Sequence, residues 1–273
     1  MDRAHARVVH LPRQGVPLFT GHWADVRAVP ADLRAAAEAH ANRNGRVYLK
    51  HLPAFAREVL WRRFEDALLP LDSAGKLGVV FFQFAPWVAP RDEAVEQIES
   101  IRRRLPQYTI AVEFRNRGWF ADRQAEATLG LLRRQRLVHV AMEEPQGFAS
   151  RVLTVVDVTG PVAYVRFHGR NRAMWNARTE TTGGRFDYWY ERADLDEWVP
   201  RIQWRDSQSP ETCVLFNLSN TNNDDQGPRN ARVLAVALAD AGSGERIARR
   251  DAVLALAQQP PLVWPLPYPV YDL

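Results

Sequence analysis

From residue 76 onward the chain alternates between short apolar runs and amphipathic stretches with helical spacing. The apolar runs are KLGVVFFQF (76–84), YTIAVEF (108–114), LVHVAM (137–142), VAYVRFH (162–168) and TCVLFN (212–217). Continuous rather than alternating hydrophobicity marks a strand buried on both faces. The helical stretches are RDEAVEQIESIRRRL (91–105), DRQAEATLGLLRRQ (122–135), ADLDEWVPRIQW (193–204) and PRNARVLAVALA (228–239), the last with proline at its first position. Strand and helix in succession imply parallel strands joined by helical crossovers. The expected fold is therefore α/β, with a TIM-like (β/α) barrel first at this length and a doubly wound open sheet second.

The polar residues of these strands collect at their C-terminal ends: Gln83, Glu113 with Arg115, Glu143 with Glu144, His168 with Arg170 and Asn171, and Asn217. Glu113 and Arg115 stand two residues apart, so on a strand they point to one face. In a parallel barrel such ends converge on the face where the loops build a site. A buried polar group without a partner costs about 1–3 kcal/mol, which makes five successive polar strand ends hard to attribute to chance. The plainer alternative is a buried network that only organises loops. In that reading Glu113 and Arg115 form a structural ion pair, His168 donates to a backbone carbonyl, Gln146 and Gly147 shape a turn, and Asn230 ties down the loop after Asn217. The long segment after His168, with Trp175 and Tyr188, has the length of a lid.

Composition narrows the classes of function. The 273 residues are 46% hydrophobic and 25% charged, ordinary for a globular chain with ample core. No apolar run approaches the roughly 20 residues that span a bilayer, and the N-terminus lacks a signal-peptide pattern. Cys213 is the single cysteine, which excludes internal disulfides and a cysteine zinc cluster and fits a reducing cytoplasm. It sits in an apolar run and is expected to be a buried, inert thiol. The net charge is only +4 and the basic residues are almost all arginine. Arg102-Arg103-Arg104 and Arg133-Arg134 fall on expected helices beside acids, so a solvated face outranks a phosphate-binding stripe. Before residue 76 the strongest elements are helical, PADLRAAAEAHANR and REVLWRRFEDALLP, and no convincing set of three further strands is found. The tail QQPPLVWPLPYPVYDL is too proline-rich for a helix or an inner strand.

Taken in order and spacing, AGKLGVVFFQFAPW, AVEFRNRGWF, EEPQGF, YVRFHGRN and FN…DDQGPRNAR resemble the DUF72, or YecE-like, family. LFTGH (18–22) and VLWRRFEDALLPLDSAGKLG (59–78) resemble its longer bacterial subgroup. The resemblance covers roughly residues 17–240 and implies a TIM-like barrel; it brings no established reaction. The family's opening strands carry a Gly-Thr-Ser/Gly-Trp motif, a Val-Glu-x-(Asn/Asp)-Ser-x-(Phe/Tyr)-Tyr motif and a Val-Lys-Ala end, and none is present here. The expectation is a member lacking those strands, hence an incomplete barrel. Further departures are Glu143 in place of the family's usual Asp, Leu218 in place of a second Asn, and a longer loop between Asn217 and Gln226. The expected organisation is residues 1–16 outside the family pattern, 17–245 as the barrel domain, and 246–273 as a helix remnant with the tail.

The leading functional expectation is an enzyme acting on a small anionic substrate, phosphorylated or polyhydroxylated, by acid–base or hydrolytic chemistry. Glu113, Glu143 and His168 are the expected catalytic groups. Gln83, Arg115, Arg170, Asn171, Asn217, Gln226 and Asn230 are expected to bind substrate, the guanidiniums matching phosphate or carboxylate through paired hydrogen bonds. No metal site is assigned, although a divalent ion on Glu113, Glu143 and His168 is a chemically allowed set. The alternative is a non-catalytic pocket for a small molecule or nucleic acid, the latter through arginines and the aromatics Trp87, Trp119 and Trp175. Trp87 and Trp119 as loop anchors is the simpler reading. No membrane partner is expected, and the oligomeric state is left open.

Overall fold

The computed structural model describes residues 8–9, 20–145, 152–175, 183–218 and 226–242. All five expected strands form: β4 (Val79–Phe84), β5 (Ile110–Phe114), β6 (Val138–Glu143), β7 (Val162–Phe167) and β8 (Glu211–Phe216). Before them come β1 (Val8–Val9), β2 (Trp23–Asp25) and β3 (Arg46–Tyr48). The main sheet is wholly parallel, in the order β1-β4-β5-β6-β7-β8. The five long strands follow their sequence order without the reversal that a doubly wound sheet has. Yet among the described residues β1 and β8 remain separate edges. The expectation of a TIM-like barrel is thus met as a parallel α/β sheet and not as a closed cylinder. Among the described residues before 76, β2 and β3 pair antiparallel with each other, and the two-residue β1 joins the main sheet. That strand falls in the segment where the sequence pattern suggests none.

The helices are α1 (Ala31–Glu38), α2 (Ala54–Ser73), α3 (Asp92–Arg104), α4 (Gln124–Arg134), α5 (Arg172–Trp175), α6 (Arg192–Asp196), α7 (Val199–Ser207) and α8 (Gln226–Ala241). The single helix expected over 193–204 is split in two. Pro200 lies in the first turn of α7, where its missing N–H costs nothing, but further inside one helix it would break a hydrogen bond. Alternation also fails between β6 and β7, where residues 152–161 carry no helix. Arg205 of α7, fully buried, donates instead to the carbonyls of Asp157 (2.8 Å), His139 (3.2 Å) and Tyr164 (3.1 Å), tying this connection to both strands.

One face of the sheet packs on the helices. There Phe82 meets Trp61 and Phe64 of α2, and Phe167 meets Tyr190, Trp198 and Phe216. The other face carries Phe81, Gln83, Glu113, Tyr164 and Arg166. Strand alternation assigns each residue to one face or the other, and this sorting decides the site. The basic runs behave as a solvated helix surface. Arg103 pairs with Glu96, Arg104 with Glu58 at 2.7 Å and Arg133 with Asp157 at 2.7 Å, while Arg102 caps the carbonyls of Leu105 and Tyr108. Among the described residues, no helix is long and apolar enough to cross a membrane.

Candidate functional site

The register places Gln83 opposite Glu113 and Arg166 opposite Leu215, so the ends of β4, β5 and β7 point their polar groups to the face opposite Phe82 and Phe167. Arg166 Nη1 donates to Glu113 Oε2 at 2.8 Å and to Gln83 Oε1 at 3.0 Å. Arg115 Nη1 reaches the other oxygen, Glu113 Oε1, at 3.4 Å, and His168 Nε2 lies 3.4 Å from that same oxygen without hydrogen-bond geometry. The other ring nitrogen of His168 is 3.2 Å from the Asn217 amide nitrogen. With the amide donating there, Nδ1 accepts and the ring proton sits on Nε2, facing the carboxylate.

Glu113 is wholly buried. Burial alone would raise its pKa, but Arg166 foremost, with Arg115, holds the carboxyl well below the usual range. His168 is pushed down by burial and then by the Arg115 charge, so the imidazole is neutral near pH 7. Trp175 lies 5.8 Å from the Arg115 guanidinium and Phe186 lies 5.7 Å from His168, and the two rings touch edge to face at 6.3 Å. Asn171 fixes this cover by donating to the carbonyls of Gly184 and Asp187. His22, from LFTGH, is half-buried, and its pKa is lowered by burial and then by Arg115.

Glu143 does not join this cluster. It pairs in register with Phe167 and so faces the helices. There it accepts from Arg170 Nε and from the Tyr190 hydroxyl. Arg170 is fully engaged, its Nη1 on Asp194 at 2.8 Å and its Nη2 on Glu197 at 2.9 Å. Gly169, at φ +86°, makes the turn that sends Arg170 this way, and its N–H donates to Tyr190 at 2.9 Å. Glu113 and His168 lie on one face and Glu143 on the other, so the three do not converge as ligands. Among the described residues, no group of three His, Cys, Asp or Glu side chains could hold a metal ion.

Glu144, one residue on, connects the two halves. Its Oε1 accepts from the Val152 N–H at 2.8 Å, and its Oε2 lies 3.4 Å from Arg115 Nη2. Burial raises its pKa despite Arg115. Burial raises that of Glu143 as well, against Arg170 and Tyr190. Both glutamates line a cavity of about 350 Å³, with Arg170, Arg172, Glu197, Trp198 and Arg201 among its other walls. That volume is near the lower end of the roughly 300–1,000 Å³ typical of small-molecule sites.

The structure therefore brings Gln83, Glu113, Arg115, His168 and Asn217 together and sets Glu143 and Arg170 apart. Gln226 donates to Asp187 at 2.7 Å, while Asn230, wholly buried, has no hydrogen-bond partner for either amide atom. The loop after Asn217, expected to be tied down by Asn230, lies mostly outside the described residues. Gln146 and Gly147 lie outside the described residues, as does the proline-rich tail. Trp119 is a buried anchor donating to Val88 O at 2.8 Å, and Trp87, though exposed, donates to Gly21 O at 3.0 Å. Cys213 is half-buried, its thiol pushed up to about 11 by burial. Sequence reasoning passed over Arg166 and Tyr190, and it named Glu144 only as a polar strand end, with no role in the site. Arg166 was legible in YVRFH, where it shares the parity of His168. Tyr190 was not, because it arrives from a distant segment.

The family model described as "Protein of unknown function DUF72" matches residues 22–252. The UPF0759 protein YunF of Bacillus subtilis strain 168 is 30% identical over 194 residues, 68% of this chain and 67% of that protein. A solved DUF72 family protein from Enterococcus faecalis V583 is 25% identical with a TM-score of 0.62, covering 67% of this chain and 66% of that one. Another, from Thermotoga maritima MSB8, is 27% identical with a TM-score of 0.58, covering 66% and 65%. The chain spans about two-thirds of the length of these relatives.

Proposed function

Since the chain belongs to the DUF72 family, whose function is not established, we propose that it is an enzyme performing acid–base or hydrolytic chemistry on a small anionic substrate. The sheet is read as the open part of a TIM-like barrel, with the reaction at the C-terminal ends of its strands. The single cysteine fits a cytoplasmic setting.

The observation that carries the reading is Glu144. It is a buried carboxyl on the wall of a ligand-sized cavity, accepting from the Val152 N–H at 2.8 Å and lying 3.4 Å from Arg115 Nη2. Burial moves its pKa toward neutrality, as a proton-transferring group requires. Glu113 is a poor proton acceptor because Arg166 keeps it ionised. Its role is to fix Arg115, which in turn positions Glu144. His168 and Asn217 complete that frame. Glu143 and Arg170 neutralise each other and form a wall, and Arg172 and Arg201 receive the anionic group.

The test is turnover on a panel of phosphate esters, lactones and acyl or glycosyl derivatives, wild type against Glu144→Gln. The expected result is a roughly 10²–10⁴-fold loss of kcat with near-normal substrate binding. Unchanged turnover in the variant removes Glu144 from the chemistry. Tight binding without turnover of any panel member favours the non-catalytic reading instead.

A further inference from the structure

We infer that the outer edge of β8 pairs antiparallel with the same edge of a second copy of this chain, joining two sheets about a two-fold axis whatever reaction each copy performs. β8 ends the main sheet, with β7 on one side and, among the described residues, no strand on the other. All six of its residues are partly exposed, whereas all six of β7 are buried. The Asn217 N–H donates to Phe167 O at 2.8 Å, and this sets the parity of the strand. Cys213 and Leu215 turn their backbone groups to β7, and Thr212, Val214 and Phe216 turn theirs outward. Such a row templates a further strand unless proline, lysine or a bulge guards it. β8 reads ETCVLF, with neither proline nor lysine and its one charge at the first position.

A second copy is the occupant that fits. The opposite edge of the sheet is β1, only two residues long, so β8 of one copy on β1 of the next forms a shorter ladder than β8 on β8. Within this chain, the apolar stretches HLPRQGVPLF (10–19) and PPLVWPLPYPVYDL (260–273) are interrupted by prolines, which lack the N–H that a ladder needs. A third, DAVLALA (251–257), is rich in alanine and leucine, which favour helix over strand. The β8 edge, by contrast, complements itself. With Val214 opposite Val214 of the second copy, Thr212 meets Phe216, and each of these pairs exchanges two N–H···O bonds. Cys213 then faces Leu215 and Glu211 faces Asn217, so no like charges are opposed. The two β8 strands run in opposite senses, so the Glu113–Arg115 clusters at the strand ends point in opposite directions.

Sedimentation velocity on the full chain at micromolar concentration should give twice the chain mass. Val214→Pro removes an outward N–H that β7 does not use, so the variant should still unfold cooperatively while the dimer dissociation constant rises about tenfold or more. Leu215→Cys gives a second measurement. It sets a new thiol opposite Cys213 of the other copy, in a non-hydrogen-bonded pair whose Cα atoms are about 4.5 Å apart, within disulfide range. Mild oxidation of this variant should yield a covalent dimer that a reducing agent splits. In the wild type the two Cys213 residues are diagonal neighbours, roughly 7–8 Å apart, and should not cross-link. A wild type that stays monomeric up to its solubility limit overturns the inference, and so do open-ended larger species. A dimer that Val214→Pro leaves intact, or that oxidised Leu215→Cys does not cross-link, overturns it as well.

Discussion

At the scale of single residues, the two glutamates at the ends of β5 and β6 predict opposite phenotypes. Glu113 balances Arg166 and Arg115 in a wholly buried place, so removing it leaves guanidiniums out of water without a counter-charge. Glu113→Ala should lower unfolding stability by about 3–5 kcal/mol, read from urea melts. An unchanged midpoint would mean that water reaches the cluster. Glu144→Gln, by contrast, should leave stability within about 1 kcal/mol, because an amide is similar in shape to the carboxyl and burial already disfavours the charged form. The pairing at 113 was legible in AVEFRNRGWF, since residues two apart on a strand share a face. The partner that matters most, Arg166, lies 53 positions along the chain, and only the β5-to-β7 geometry selects it.

At the scale of elements, the weak points are the connections. Gly169 turns the chain between β7 and Arg170 at φ +86°, and a Cβ there would lie 2.7 Å from Tyr188 Cβ. Gly169→Ala should cost about 1–3 kcal/mol and disturb the Arg170–Glu143 pairing, measurable as lower stability with altered tyrosine near-UV dichroism. A wild-type melt would show that the turn adapts. Residues 152–161 of the connection between β6 and β7 carry no helix, and Arg205 supplies three hydrogen bonds that hold this region. Arg205→Met should therefore destabilise by about 3 kcal/mol or more, with amide exchange accelerated first in residues 152–161. The helix expected over 193–204 failed for a local reason visible in the sequence, Pro200. The absence of a helix from residues 152–161 had no positive signal.

At the scale of the whole molecule, acid should weaken the fold well above the carboxylate range. His139 is wholly buried, and burial foremost, then Arg205, pushes it down to about 3 from an ordinary 6.5. Between those values the unfolded chain binds a proton that the native state refuses, so stability falls as pH drops. His168 adds in the same direction. The expected slope below pH 6.5 approaches about 1.4 kcal/mol per pH unit for each such histidine. Glu143 and Glu144 act oppositely: their pKa values are raised on folding, so their contribution is present at low pH and lost as pH rises through the folded values. Urea melts from pH 7.5 to 5 on wild type and His139→Asn check the sign. A slope no smaller in the variant would exclude His139 as a cause.

The sequence by itself determined the five long strands, their parallel sense and the polar character of their C-terminal ends, because burial on both faces writes continuous apolar runs and helical crossovers write amphipathic ones. It determined the family by ordered motifs. Tertiary structure alone decided which polar ends meet. Adjacent residues on a strand point to opposite faces, so Glu143 and Glu144 part company, and Glu144 reaches Arg115 while Glu143 reaches Arg170. Strand closure was likewise undecidable from local pattern, because β1 is recruited by pairing with β4, and a two-residue strand carries too little side-chain pattern to announce itself.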